Sequence, residues 1–222
     1  MALAEASPGP SRRRALEALG DGGSVLDVGV GAGAASLPLA PPAVLLVGVD
    51  ESPDMLATFA EACDQQGVAH REVQGGWPQV AARVEPADVV VCHHVFNNVP
   101  ELVPFVEALT ERARRRVVTE HTSEHPMIAL NELWRALHGI ERPAAPTAAD
   151  ALEVLTDMGL RVHQEEVERP SLWAGLERQE LVAFARRRLC LGPDRDAEID
   201  RLLPRREEEP PRRLVTLWWD VA

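Results

Sequence analysis

Cysteine is scarce: the 222-residue chain has three, Cys63, Cys92 and Cys190. Their spacing fits neither paired metal ligands nor a disulfide framework, which suits a reducing cytosol. Positive charge is also short. The 23 basic residues face 35 acidic ones, a net charge of -12, and the averaged field repels nucleic acid and anionic membrane surfaces. Arginine runs at 12–14, 114–116, 186–188 and 205–206 do not reverse this, because most stand beside acidic residues and read as paired, solvated surface. No apolar run approaches the roughly eighteen residues of a membrane span. The N-terminal MALAEASPGPSRRR lacks the hydrophobic stretch of a secretion signal. A cytoplasmic location, with neither membrane nor nucleic acid as partner, is the expectation.

What remains is an ordinary globular composition, 45% apolar and 26% charged, which places the chain away from the disordered class. Short apolar runs alternate with helical patterns along it. SVLDV (24–28), VLLVGVD (44–50), AHREV (69–73), ADVVVC (87–92) and RRVVTE (115–120) read as five strands, and helices between them imply a parallel α/β sheet. VLLV and VVV do not alternate polar with apolar residues, as expected of central strands covered on both faces.

SRRRALEALG predicts a helix capped by Ser11 and ended by Gly20. A second helix has Ser52 as cap, Pro53 in its first turn and an end near Gly67. EHPMIALNELWRALHGI predicts a helix with Pro126 near its start and Gly139 as its stop, and Thr147 with Asp150 a capping box for a helix over 147–158. Further on, RVHQEEVERP reads as a charged edge strand, 177–190 and 194–203 as helical segments, and LVTLWW as a last strand.

The stretch VLDVGVGAGAA (25–35) carries the chemistry. Gly29, Gly31 and Gly33 stand where a strand is expected to turn into a helix. Their missing side chains admit a ligand to the backbone, and a helix N-terminus would add free N–H groups. Gly29-x-Gly31-x-x-Ala34 also satisfies a dinucleotide fingerprint, with Asp50 about twenty residues on to meet a ribose, so an NAD(P)-dependent oxidoreductase stays open on the glycines alone. Asp27 discriminates: its carboxylate would be repelled by a pyrophosphate and attracted by an ammonium or sulfonium. S-adenosylmethionine carries both cations and no phosphate.

On VLDVGVGAG (25–33), VGVDESPDML (47–56), the glycine turn after strand three and ADVVVCHHVFNNV (87–99), the chain resembles the class I S-adenosylmethionine-dependent methyltransferases. The resemblance implies an α/β fold with a seven-stranded, mostly parallel sheet in the order 3-2-1-4-5-7-6, strand seven antiparallel and helices on both faces. Segment 161–169 and the LVTLWW run would be strands six and seven. It further implies that Gly29, Gly31 and Gly33 line the methionine part of the cofactor and that Asp50 accepts the ribose hydroxyls. Asp27 would stand near the methionine ammonium, usually through water. Glu51, Gly76, Trp77 and His93 complete the expected cofactor-binding set, with S-adenosylhomocysteine as product.

One domain is expected over 1–222, since the length suits a single core. It divides into an N-terminal segment and helix (1–23), a cofactor-binding half (24–120) and a substrate-side half (121–222). Two departures from the family stand out. Where the family often has Gly-Asp after strand three, its acid on the adenine amino group, VQGGWP places Gly75, Gly76 and Trp77, and Trp77 is either a stacking partner for adenine or a core or lid residue. The N-terminal segment is short for the family, so the site is open or closed by a partner, with a homodimer one arrangement.

Ligands collect at the carboxyl ends of strands in open α/β sheets. After Cys92 come His93, His94, Asn97 and Asn98; after Thr119 come Glu120, His121, Glu124 and His125. His94, Glu120, His121 and His125 are the catalytic candidates, as bases for an acceptor that arrives protonated, against the alternative of a hydrogen-bonded pocket wall. No metal is expected, because Pro126 argues against a continuous helix presenting His121 and His125 together. HHVFNN lacks the Asn/Asp-Pro-Pro-aromatic pattern of enzymes acting on nucleic-acid bases or glutamine, which favours a small-molecule acceptor. Phe96, Trp134, Trp173, Trp218 and Trp219 line a pocket or belong to the core. A non-catalytic scaffold or regulatory subunit, motivated by the missing adenine acid, is the remaining alternative.

Overall fold

The computed structural model describes residues 9–125, 127–171, 175–204 and 211–221. Its strands are β1 (Gly23–Val28), β2 (Ala43–Asp50), β3 (Ala69–Gln74), β4 (Ala87–His93), β5 (Ala113–Thr122), β6 (His163–Arg169) and β7 (Arg212–Asp220). They form one sheet in the order β3-β2-β1-β4-β5-β7-β6, parallel except for β7, which runs antiparallel to both neighbours. The expected topology is the observed one.

Successive residues of the central strands feed two cores. Leu26, Val28, Val90 and Val117 pack with Phe105 and Leu109 of α3 (Leu102–Glu111) and Leu155 of α5 (Ala148–Asp157). Val25, Val89, Val91 and Val118 pack on the other face with Leu19 of α1 (Pro10–Leu19) and Phe59 of α2 (Pro53–Gln66). Burial on both faces is why the VVV run does not alternate. Trp219 belongs to the first core and Trp218 to the second, so both are core residues.

A third core stands apart from these. Leu130 and Leu133 from the start of α4 (Asn131–His138) meet Leu181, Ala185 and Leu189 of α6 (Arg178–Arg188) and Ile199 of α7 (Asp196–Leu202). His138 Nε2 lies 2.8 Å from the Leu189 carbonyl and ties α4 to the end of α6. The chain leaves the sheet for this lobe after β5 and after β6. These two strands point the same way, so the lobe rises from the edge where β1, β2 and β4 also end.

Local signals hold at several places. Ser52 Oγ accepts the Met55 N–H, Gly67 and Gly139 adopt left-handed caps, and Thr147 and Asp150 bond reciprocally. Three expectations are corrected. No α-helix follows the glycine loop: turns over 31–36 and a single 3₁₀ turn, Leu37–Leu39, lead to β2. Glycines at positive φ together with Pro38, Pro41 and Pro42 leave no uninterrupted stretch for one. Ser11 is not a cap; Pro10 opens α1 and Ser11 lies inside it, its hydroxyl spent elsewhere. The helix beyond β5 begins only at Asn131, after a 3₁₀ turn over Ile128–Leu130. Pro126, Trp173 and the 205–206 arginine pair lie outside the described residues. Among the other arginine runs, Arg14 pairs with Glu17, Arg116 with Asp220 and Arg186 with Asp196.

Candidate active site

The glycine loop is folded back by two N–H groups, of Gly29 and Val30, that donate to the Val49 carbonyl at 2.8 and 3.0 Å. The three glycines then serve different ends. A Cβ on Gly29 would stand 2.5 Å from Val95 Cγ2, and one on Gly33 would meet Leu37 and Phe59 within 3 Å. Those two positions are filled by the protein itself. At Gly31, with φ +51°, a Cβ would meet nothing within 4 Å, so its backbone faces open space.

Asp50 stands beside that opening. Its carboxylate accepts the Gly31 N–H and the Ser52 N–H, both at 2.9 Å. Each oxygen keeps a lone pair for a further donor. Asp27 lies beneath the loop, 1% exposed, accepting the Ser36 hydroxyl at 2.7 Å. Burial pushes its carboxyl up to about 7 against the hydrogen bonding from Ser36, with the Asp50 charge adding to the rise.

At the ends of β2 and β3, Glu51 Oε1 lies 2.7 Å from where a Cβ on Gly76 would stand, so a larger residue at 76 would compete with that carboxylate for space. Trp77 is half-buried against the first core, and its indole N–H donates to the Phe105 carbonyl at 3.2 Å.

The ends of β4 and β5 bring three of the expected residues together. His94 N–H donates to the Glu120 carbonyl at 2.7 Å, and His94 Nε2 lies 3.4 Å from the Glu120 carboxylate. The other carboxylate oxygen accepts the Ser11 hydroxyl at 2.7 Å. Burial would raise this carboxyl, but His94, the adjacent His93 and Ser11 outweigh it and hold it down at about 2. His94 is exposed and sits at φ 60°, a left-handed conformation costly for a residue with a Cβ. Burial pushes His93 down to about 4, and its Nε2 is buried without a hydrogen-bond partner among the described residues.

His121 is separated from this group. It is buried against Phe96, ring centroids 4.6 Å apart, with Nε2 2.8 Å from Thr119 Oγ1, and burial lowers it to about 3. It lines a cavity of about 200 Å³ walled by Phe96, Val99, Leu102, Ala151 and Val154, with the exposed Glu124 and Asp150 among its other lining residues. His125 lies further along the loop, where Nδ1 accepts the Met127 N–H at 3.2 Å; burial, then the charge of Arg142, lowers its affinity for a proton. The contribution of α5 to the cavity was missed from sequence, although the apolar spacing of Ala148, Ala151 and Val154 marks one helix face.

Residues 25–120 match the family described as a methyltransferase domain. The chain is 33% identical over 97 residues to a ubiquinone biosynthesis O-methyltransferase of Methylococcus capsulatus, covering 42% of this chain and 40% of that protein. It is 30% identical over 167 residues to a phosphatidylethanolamine N-methyltransferase of Cereibacter sphaeroides, covering 66% of this chain and 80% of that protein. The chain thus belongs to the S-adenosylmethionine-dependent methyltransferases, with S-adenosylmethionine as cofactor. Its fold is that of the Bacillus YcgJ protein, with a TM-score of 0.64 at 15% identity over 95% of this chain and 97% of that one. Magnesium protoporphyrin IX methyltransferase of Synechocystis, solved with bound SAH, superposes with a TM-score of 0.57 at 17% identity, over 90% and 74%. No helix among the described residues is long and apolar enough to cross a membrane.

Proposed function

We propose that this chain methylates a small-molecule acceptor at the carboxyl ends of β4 and β5. The observation that carries the reading is the open backbone face of Gly31 beside the Asp50 carboxylate, between two glycines that the protein itself fills. A ribose hydroxyl pair suits the remaining lone pairs of Asp50. His93 Nε2, buried and without a hydrogen-bond partner among the described residues, offers a further polar contact at the end of β4. Asp27, below the loop, supplies a carboxylate that ionises more readily when a cation stands near.

When bound, S-adenosylmethionine supplies an electrophilic methyl group on a cationic sulfur. The protein's task is to hold the acceptor in line with that methyl and to take a proton where the acceptor carries one. Glu120, held at about 2, is too weak a base for this and acts by positioning His94, the exposed ring beside it. His94 is the group to receive the proton. The matched relatives are named for a ubiquinone-pathway compound and a phospholipid, which supports a non-nucleic-acid acceptor. The dinucleotide reading loses support, because no helix opens at the glycine loop to face a pyrophosphate.

Calorimetric titration with S-adenosylhomocysteine, with NADH as control, tests the reading. Micromolar binding of the first alone is expected; NADH binding more tightly would overturn it. Asp50→Ala should weaken S-adenosylhomocysteine by about tenfold or more, the loss of at least one charge-assisted hydrogen bond. Binding with no turnover over a broad panel of amines, phenols, thiols and acids would favour the scaffold alternative.

A further inference from the structure

We infer that the cavity between α3, α5 and the end of β5 is the acceptor site, and that it selects a small amine with an apolar body about the size of one ring. The inference rests on the methyl-transfer reading above and names its substrate class.

Phe96 and Asn97 line the cavity directly after Val95, whose Cγ2 occupies the space above Gly29. The cavity therefore adjoins the glycine loop through one residue. His121 and Thr122 bring in the end of β5, with His121 on the α5 side of the sheet, whereas Glu120 and the His94 ring face α1.

A volume of about 200 Å³ is close to the roughly 150 Å³ that accommodates a benzene ring in an apolar protein cavity. Phe96, Val99, Leu102, Ala151 and Val154 give it an apolar body. A porphyrin would not fit inside.

Charge decides the functional group. Among the described residues, the ionisable side chains lining it are His121, Glu124 and Asp150, with no arginine. His121 is neutral, and Asp150 is held ionised by the two hydrogen bonds it accepts from Thr147. Two carboxylates and no cation attract an ammonium and repel a carboxylate or phosphate. Transfer balances simply: the ammonium gives one proton to solvent at the Glu124 side of the cavity, its nitrogen lone pair forms the N–C bond, and the C–S pair returns to sulfur as a neutral thioether.

The probes are benzylamine, benzyl alcohol and benzoate, titrated into the full chain by ligand-observed NMR, with and without S-adenosylhomocysteine. Benzylamine should bind tightest, benzyl alcohol more weakly and benzoate not measurably. Glu124→Gln, at an exposed position, should weaken benzylamine about fivefold and spare benzyl alcohol. Ala151→Trp should fill the cavity and abolish binding of both while S-adenosylhomocysteine still binds. Benzoate binding as well as benzylamine, an equal effect of Glu124→Gln on both probes, or unchanged binding in Ala151→Trp would overturn the inference. Failure to bind S-adenosylhomocysteine, with the probe ranking intact, would instead strike at the methyl-transfer reading.

Discussion

The hydroxyl of Ser11, in the first helix, donates to the Glu120 carboxylate at 2.7 Å across 109 positions of sequence. Through this bond α1 closes over the ends of β4 and β5 and fixes the group that in turn holds His94. Ser11→Ala removes a hydrogen bond to a charged, mostly buried group and should cost about 1.5–3 kcal/mol in urea unfolding at neutral pH. Glu120 is held at about 2, below its ordinary value of 4.5, so its contribution is present above pH 4.5 and is lost as pH falls toward 2. The variant should show a shallower acid limb. An unchanged limb would mean that Ser11 does not support the carboxylate.

Asp27 predicts the opposite slope. Its carboxyl is raised from 3.8 to about 7, so the folded chain keeps a proton that the unfolded chain has lost, and stability falls as pH rises between those values. Asp27→Asn removes the decline. The variant's advantage should grow from pH 5 to pH 8, reaching on the order of 2–4 kcal/mol, while its affinity for S-adenosylhomocysteine drops. Urea unfolding at the two pH values, paired with calorimetry, checks both halves. A variant less stable than the parent at pH 8 would refute the burial argument.

Gly29 and Gly31 should fail in different ways. Gly29→Ala drives a methyl into Val95 and should destabilise the fold by about 1–3 kcal/mol, with partial rescue by Val95→Ala. Gly31→Ala meets no neighbour, so its cost is the left-handed backbone alone, about 1–2 kcal/mol. Its methyl would nevertheless stand on the open face, and S-adenosylhomocysteine binding should be lost from a folded protein. Thermal unfolding and titration of both variants separate the packing role from the binding role.

His94 holds a left-handed backbone at the point where proton transfer is proposed. His94→Gly relieves that strain and should leave the chain as stable as the parent or up to about 1 kcal/mol more stable, while turnover falls by about 100-fold or more. His94→Asn, which tolerates the same backbone, should match the activity loss without the glycine's added freedom. Retained activity in both would remove His94 from proton transfer.

Much of the fold was legible because its signals are local or periodic. VLLV and VVV announced strands covered on both faces, Ser52 and Gly67 bounded α2, and Thr147 with Asp150 announced α5. The loop from Gly29 to Pro42 was misread because its glycine pattern is shared with loops that do open helices. The prolines that follow forbid one here. Ser11 was misread for a related reason: a cap is a local role, whereas its partner Glu120 becomes a neighbour only when α1 packs on β5.

By itself the sequence determined the strands and the glycine loop with Asp27 and Asp50, since these follow from hydrophobic pattern, backbone freedom and charge close along the chain, while the order of the strands was implied by the resemblance to the methyltransferases. Tertiary structure decided what those residues and the histidines can do. It buried Asp27 with Ser36, left Gly31 as the open glycine, paired His94 with Glu120 and sent His121 into a separate apolar cavity walled by α5. It also joined α4 to α6 and α7 from two distant insertions into one lobe. Desolvation and partnership depend on which surfaces are brought into contact. That contact is created only when helices and strands far apart in the chain pack together.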